Sequence, residues 1–256
     1  MKNALVGPFG RKHKCPMTDD PKSMLNEIVL IVFYFVILLY SIIIHEVAHG
    51  WVALRLGDLT AKYADRLNLN PIKHIDPWGS VAIPLFMLVL TGFQFAFGWA
   101  KPVPYNPYNL KNQKWGPALV AFGGPGSNIA IALIAAIMGN LVGIPDALKV
   151  SIIGSVRMAD WSGLAEVISG SLGAIVFVIL AMVIFWNVIL AFFNLIPIPP
   201  LDGSKLLFSV FPIKTETMIL LEQFGFMLLL FVIFFLAVPL GIFLNIMLNL
   251  FYGMTL

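Results

Sequence analysis

Charged side chains are scarce in this sequence. Only 11% of its 256 residues are Asp, Glu, Lys or Arg, against about 25% in an average soluble domain, which excludes a solvated globular fold. Cysteine is all but missing. The single Cys15 can form neither an intramolecular disulfide nor a cysteine-based metal site. The net charge of +3 is too small to argue for nucleic acid as a partner. Histidine occurs four times, so the place of each copy is informative. No internal repeat or low-complexity tract is present. The first apolar run starts only at Ile28 and has no small-residue cleavage site after it, so no cleavable signal peptide is expected.

What is abundant is apolar. Hydrophobic residues make up 59% of the chain and the mean hydropathy is +0.91. Repeated long apolar runs place the chain in a lipid bilayer. The pattern predicts an all-α polytopic membrane protein with about five or six transmembrane or re-entrant helical segments. Residues 1–27 are polar and basic and read as a flexible N-terminal tail, and 28–256 as a single membrane domain. A first helix is expected over 28–56, ended by Gly57-Asp58. The region 58–115 reads as extended or re-entrant. Weak alternation over 60–63 and 66–70 predicts a small β-hairpin-like insertion after the first helix. Residues 80–98 are apolar and barely long enough to span, so they either cross or re-enter. Clear spans are expected over 116–142 and 171–195, joined by a polar connection. Pro197, Pro199 and Pro200 forbid a helix before Leu201-Asp202-Gly203. C-terminal helices are expected over 218–252, broken near Pro239-Leu240-Gly241.

The chain's chemistry centres on His45-Glu46-Val47-Ala48-His49. Residues four apart share one helix face, so both imidazoles project together. That spacing suits zinc, and Glu46 between them is placed to handle the protons of a metal-bound water. Ionisable groups within lipid are costly and default to function, which weakens the bland reading of satisfied polar side chains. A catalytic zinc needs a third protein ligand and an open position. His13 and His74 lie in loops. Asp202 follows an apolar span and is the better candidate, although Asp before Gly203-Ser204 is equally ordinary helix-capping chemistry.

Three stretches together resemble the site-2 protease family of intramembrane zinc metalloproteases. They are His45 to Gly50, Gly124-Pro125-Gly126-Ser127-Asn128, and Asn194-Leu195-Ile196-Pro197 through Leu201-Asp202-Gly203. The resemblance covers about 45–207. It implies a metalloendopeptidase with one Zn2+ per chain, held by His45, His49 and Asp202, with Glu46 as general base. Asn194 would help hold substrate or the oxyanion, against the alternative of a helix-capping amide. Gly124 to Asn128 reads as close helix packing. The substrate would be the transmembrane helix of another protein, unwound locally before cleavage; 60–70 or 101–106 could pair with it as an added strand. The length leaves no room for an inserted PDZ domain or a C-terminal CBS domain. The implied place is the plasma membrane, as a multi-pass protein with its site toward the cytosol. Arg55, Lys62, Arg66, Lys73, Lys101, Lys111 and Lys114 suit that side if 80–98 re-enters, while the basic N-terminal tail objects. Rival readings are an ion- or proton-coupled transporter and a catalytically silent helix-binding relative.

Overall fold

In lipid every backbone polar group needs an internal partner, and this chain supplies them with helices. The computed structural model describes residues 21–90, 101–168, 170–211 and 213–256. No strand occurs among the described residues. Helix α1, Pro21–Arg55, runs for 35 residues, because neither Gly nor Pro interrupts 22–49. It begins inside the stretch read as a tail; residues 1–20 lie outside the described part. It ends where Gly57 adopts φ 107°. There the Asp58 N–H reaches back to Ala53 O at 3.0 Å and the Gly57 N–H to Leu54 O at 3.1 Å. This closure needs a left-handed residue, which glycine adopts without a Cβ penalty.

The expected hairpin is replaced by two short helices, α2 (Thr60–Tyr63) and α3 (Pro71–His74). The reason is local capping. The Asp58 carboxylate accepts from both the Thr60 N–H and hydroxyl. Asn70 accepts from the Ile72 N–H, with Pro71 ready at the first helical position. A weak alternation over four or five residues cannot compete with such caps. A π-helical turn, Pro77–Ala82, then leads into α4, Ile83–Leu90. Whether 80–98 crosses or re-enters depends on residues 91–100, which lie outside the described part.

Helices α5 (Gly116–Leu141) and α8 (Leu172–Asn194) are the next long apolar elements. The connection between them is itself helical, as α6 (Asp146–Met158) and α7 (Trp161–Ile168). Beyond α8 come α9 (Asp202–Val210), α10 (Thr215–Gln223), α11 (Gly225–Phe235) and α12 (Ala237–Gly253). The C-terminal region breaks at Phe224 and Leu236, ahead of the expected place. Pro239 sits in the first turn of α12, where its missing N–H costs no helical bond.

Among the described residues three helices are long and apolar enough to cross a membrane: Met24–Arg55, Gly116–Leu141 and Leu172–Asn194. A fourth is reached only by counting the pair Glu216–Gln223 and Gly225–Phe235, bent by 59°, as one span. Among the described residues the expected five or six segments are not matched by as many spans, since the described parts of α4, α6 and α7 are each shorter than a crossing needs.

Helix α5 lies between α1 and α8. Lipid tails are as apolar as leucine, so close packing rather than water exclusion must hold such helices together. The core matches that demand. Ala132, Ala136, Ala174 and Ala181 let the helices approach, and Phe177, Ile184 and Ile152 fill the space between them.

Candidate metal centre

His45 and His49 lie on the face of α1 that meets α5, with ring centroids 4.7 Å apart. Asp202 arrives from the far end of the chain. After α8 the prolines prevent helix, and 195–201 turns back so tightly that a Cβ on Gly203 would overlap the carbonyl oxygens of Leu195 and Ile196. This turn delivers Asp202 at the start of α9. Its Oδ2 lies 3.1 Å from His45 Nε2 and 3.1 Å from His49 Nε2. Leu201 occupies the N-cap position and no side chain caps the helix. The carboxylate faces the two histidines and does not cap α9.

The donor set fits a zinc ion. Two imidazole nitrogens and one carboxylate oxygen, each about 2.0–2.1 Å from a tetrahedral ion, would sit about 3.3 Å apart, close to the two histidine–carboxylate separations of 3.1 Å. Helix α5 leaves the matching space. A Cβ on Gly124 would overlap Nε2 of both histidines. The far sides of the rings are held too. His49 Nδ1 lies 2.7 Å from Val120 O. A carbonyl only accepts, so this shorter contact places a proton on Nδ1 and turns Nε2 toward Asp202, while the Gly124 N–H stands 3.3 Å from the same Nδ1. His45 Nδ1 lies 2.6 Å from the side-chain oxygen of Asn128. The remaining described histidine, His74, is buried elsewhere against Asn68 O at 2.8 Å; His13 is outside the described residues.

A cavity of about 200 Å³ opens beside the three ligand atoms. Glu46, Val103, Tyr105, Asn194 and Lys205 line it. The Val103 N–H donates to Glu46 Oε2 at 3.0 Å. Asn194 Nδ2 donates to Leu190 O at 2.8 Å, the bond expected of the helix-capping reading, while the residue still borders the cavity. Arg66 fastens the 101–106 segment by donating to the carbonyls of Lys101 and Pro102 at 2.6 and 3.4 Å, and to Lys73 O. Asp58 holds its other end, accepting from the Asn106 N–H at 2.7 Å and from Asn109 Nδ2 at 2.9 Å. Burial works to raise the Asp58 pKa, yet hydrogen bonds from Thr60, Asn109 and Asn106 outweigh it and hold the carboxyl below the usual range.

Sequence reasoning reads Asn128 as packing and passes over Lys205 and over Asn187 of α8, whose side-chain oxygen lies 2.6 Å from Asn128 Nδ2; Val103 it includes only as part of the 101–106 segment. For the two asparagines a signal existed, because an amide in the middle of an apolar span has to find partners.

A helical bundle with spans for a bilayer, carrying a His-Glu-x-x-His helix and a distant carboxylate at one internal cavity, defines a class: the membrane-embedded metallopeptidases. Peptidase family M50 matches residues 33–238, a range that contains every residue of the centre, and the chain belongs to that family. It is 33% identical over 214 residues to "Putative zinc metalloprotease YwhC" of Bacillus subtilis, covering 83% of each chain. It is 27% identical over 186 residues to "Putative zinc metalloprotease Rip2" of Mycolicibacterium smegmatis, covering 73% of this chain and 59% of that one. No solved structure is recognisably similar.

Proposed function

We propose that this chain is a zinc-dependent intramembrane endopeptidase that hydrolyses peptide bonds within transmembrane segments of other membrane proteins. The observation that carries the reading is the meeting of His45 Nε2, His49 Nε2 and Asp202 Oδ2 at a cavity shared with Glu46. His45, His49 and Asp202 hold the metal. A bound zinc supplies Lewis acidity toward a water and a peptide carbonyl. The Glu46 carboxylate takes the proton of the attacking water and passes it to the leaving nitrogen. Glu46 is kept in reach of the cavity by the Val103 N–H. Asn194 is the candidate for steadying the carbonyl oxygen; one of its amide protons is already committed to Leu190 O.

The substrate is a transmembrane helix that unwinds before attack, since its carbonyls are otherwise bonded within the helix. The 101–106 segment holds no helix, borders the cavity and is fastened by Arg66 and Asp58, which supports its use as an edge for the unwound strand. The 60–70 stretch loses that role, because it holds α2 and turns. His49 stands eight residues before Gly57, about 12 Å along the helix. The site is then inside the membrane yet within reach of the face where Gly57 emerges. The basic residues that follow make that face the cytosolic one, in a multi-pass plasma-membrane protein.

Co-expression with tagged single-span membrane proteins tests the reading. The parent should cleave at least one member of a broad panel and Glu46→Gln none, with zinc content equal in both. An identical pattern for parent and variant across the panel would sink it.

A further inference from the structure

Behind His45, on the side away from the cavity, three uncharged polar side chains from three helices meet. Ser41 of α1, Asn128 of α5 and Asn187 of α8 are 4%, 0% and 1% exposed. Such groups are costly in an apolar interior unless every bond has the right polarity. Asn187 Nδ2 lies 2.9 Å from Val183 O and 2.9 Å from Ser41 Oγ. Asn187 Oδ1 lies 2.6 Å from Asn128 Nδ2, which is also 3.3 Å from Ser41 O. Asn128 Oδ1 faces His45 Nδ1 at 2.6 Å.

The direction of this chain is set at its far end. Val183 O is a backbone carbonyl and only accepts, so Asn187 must present its NH2 there and its oxygen to Asn128. Asn128 must then present its NH2 to that oxygen and to Ser41 O, a second pure acceptor. Turning either amide over would press oxygen against oxygen. One orientation survives, and it leaves an oxygen at His45 Nδ1. That nitrogen therefore carries a ring proton, which leaves Nε2, 3.1 Å from Asp202 Oδ2, as the position for a metal.

We propose that Asn187 and Asn128 form a buried amide relay that locks His45 in its Nδ1–H tautomer, ready to bind the metal. This rests on the zinc reading above. Without the relay the Asp202 carboxylate, 3.1 Å from Nε2, would draw the ring proton to Nε2, where it blocks coordination. Both asparagines are positioning residues: neither borders the cavity. Asn187 acts from a distance, through Asn128 alone.

Two measurements test the relay. The first is the ring-nitrogen spectrum of the metal-free parent labelled with 15N-histidine, with His45 assigned by its loss in His45→Gln. A protonated Nδ1 is expected; a bare Nδ1 overturns the relay. The second is zinc affinity by competition with a chromophoric chelator. Loss of an outer partner of a metal-bound histidine weakens binding about 10- to 100-fold; Asn187 stands one bond further out, so the lower end, about 10-fold, is expected for Asn187→Leu. Asn187→Asp should stay within about threefold, because a neutral buried carboxyl donates its O–H to Val183 O and accepts from Asn128. A merely space-filling role predicts the reverse, since leucine keeps the volume without the bonds. Parent-like affinity in Asn187→Leu, or equal weakening in both variants, overturns the proposal. If Asn187→Leu does not fold, the parent spectrum decides. A parent that binds no zinc sinks the peptidase reading, and its tautomer still decides the relay.

Discussion

Replacing Gly124 by alanine puts one methyl group where the two imidazoles point. The new carbon would overlap Nε2 of both histidines and lie 2.6 Å from His49 Cε1. Carbon atoms in contact settle at about 3.5–4.0 Å, so the rings would have to withdraw by about 1 Å. Metal–ligand bonds tolerate only about 0.2 Å of error. Overpacking of this kind costs about 1–3 kcal/mol, and with each 1.4 kcal/mol worth tenfold the zinc affinity should fall about 5- to 150-fold. The helix itself should not suffer, because Gly to Ala in a helix interior favours folding by about 0.8–1.0 kcal/mol. The expected signature is therefore lopsided: clearly weaker zinc by chelator competition, with only a small change in the melting temperature of the metal-free protein, where the helix gain offsets about 1 kcal/mol of the clash. Zinc binding as tight as the parent's would refute the claim that Gly124 keeps the metal's space open.

Other substitutions probe the supports of the site. Gly203→Ala sets a Cβ against two backbone carbonyls that cannot swing away, and should lower the melting temperature and the zinc content together; a parent-like melt would contradict the tight turn. Asp58 has a depressed pKa. Its ionised form therefore stabilises the fold above the unfolded value of about 3.9, and that contribution is lost as pH falls through the folded value. Asp58→Asn should flatten the acid side of a stability profile between pH 3 and 7, and profiles that run parallel would remove the assigned role. Arg66→Met frees the Lys101 and Pro102 carbonyls. Hydrogen exchange at Val103 should then rise, with zinc affinity unchanged; unaltered protection would show that the fastening lies elsewhere.

The long helices were legible because long apolar runs leave a chain in lipid no other choice, even where Gly123, Gly124, Pro125 and Gly126 stand inside α5. The histidine pair was legible because its spacing is a local, one-helix property. Asp202 was half legible: 157 residues separate it from His45, and spacing could not choose between ligand and cap. The resemblance implies the ligand role, and the turn at Gly203 brings the carboxylate to the histidines. The hairpin was misread because two caps, Asp58 and Asn70, act over two residues and outrank a faint alternation. Asn128 was misjudged for the opposite reason. Its meaning depends on Asn187, in another helix, and no reading of one segment reveals a bond between two.

The length of α1 has a consequence for where the enzyme works. Its apolar stretch, Met24–Arg55, holds 32 residues, about 48 Å of rod, for a hydrocarbon slab about 30 Å thick. A rod too long for its slab leans, and the lean relaxes as the slab thickens. The histidines ride near one end of that rod, so their depth, and the path that water must travel to them, are tied to the acyl-chain length of the surrounding lipids.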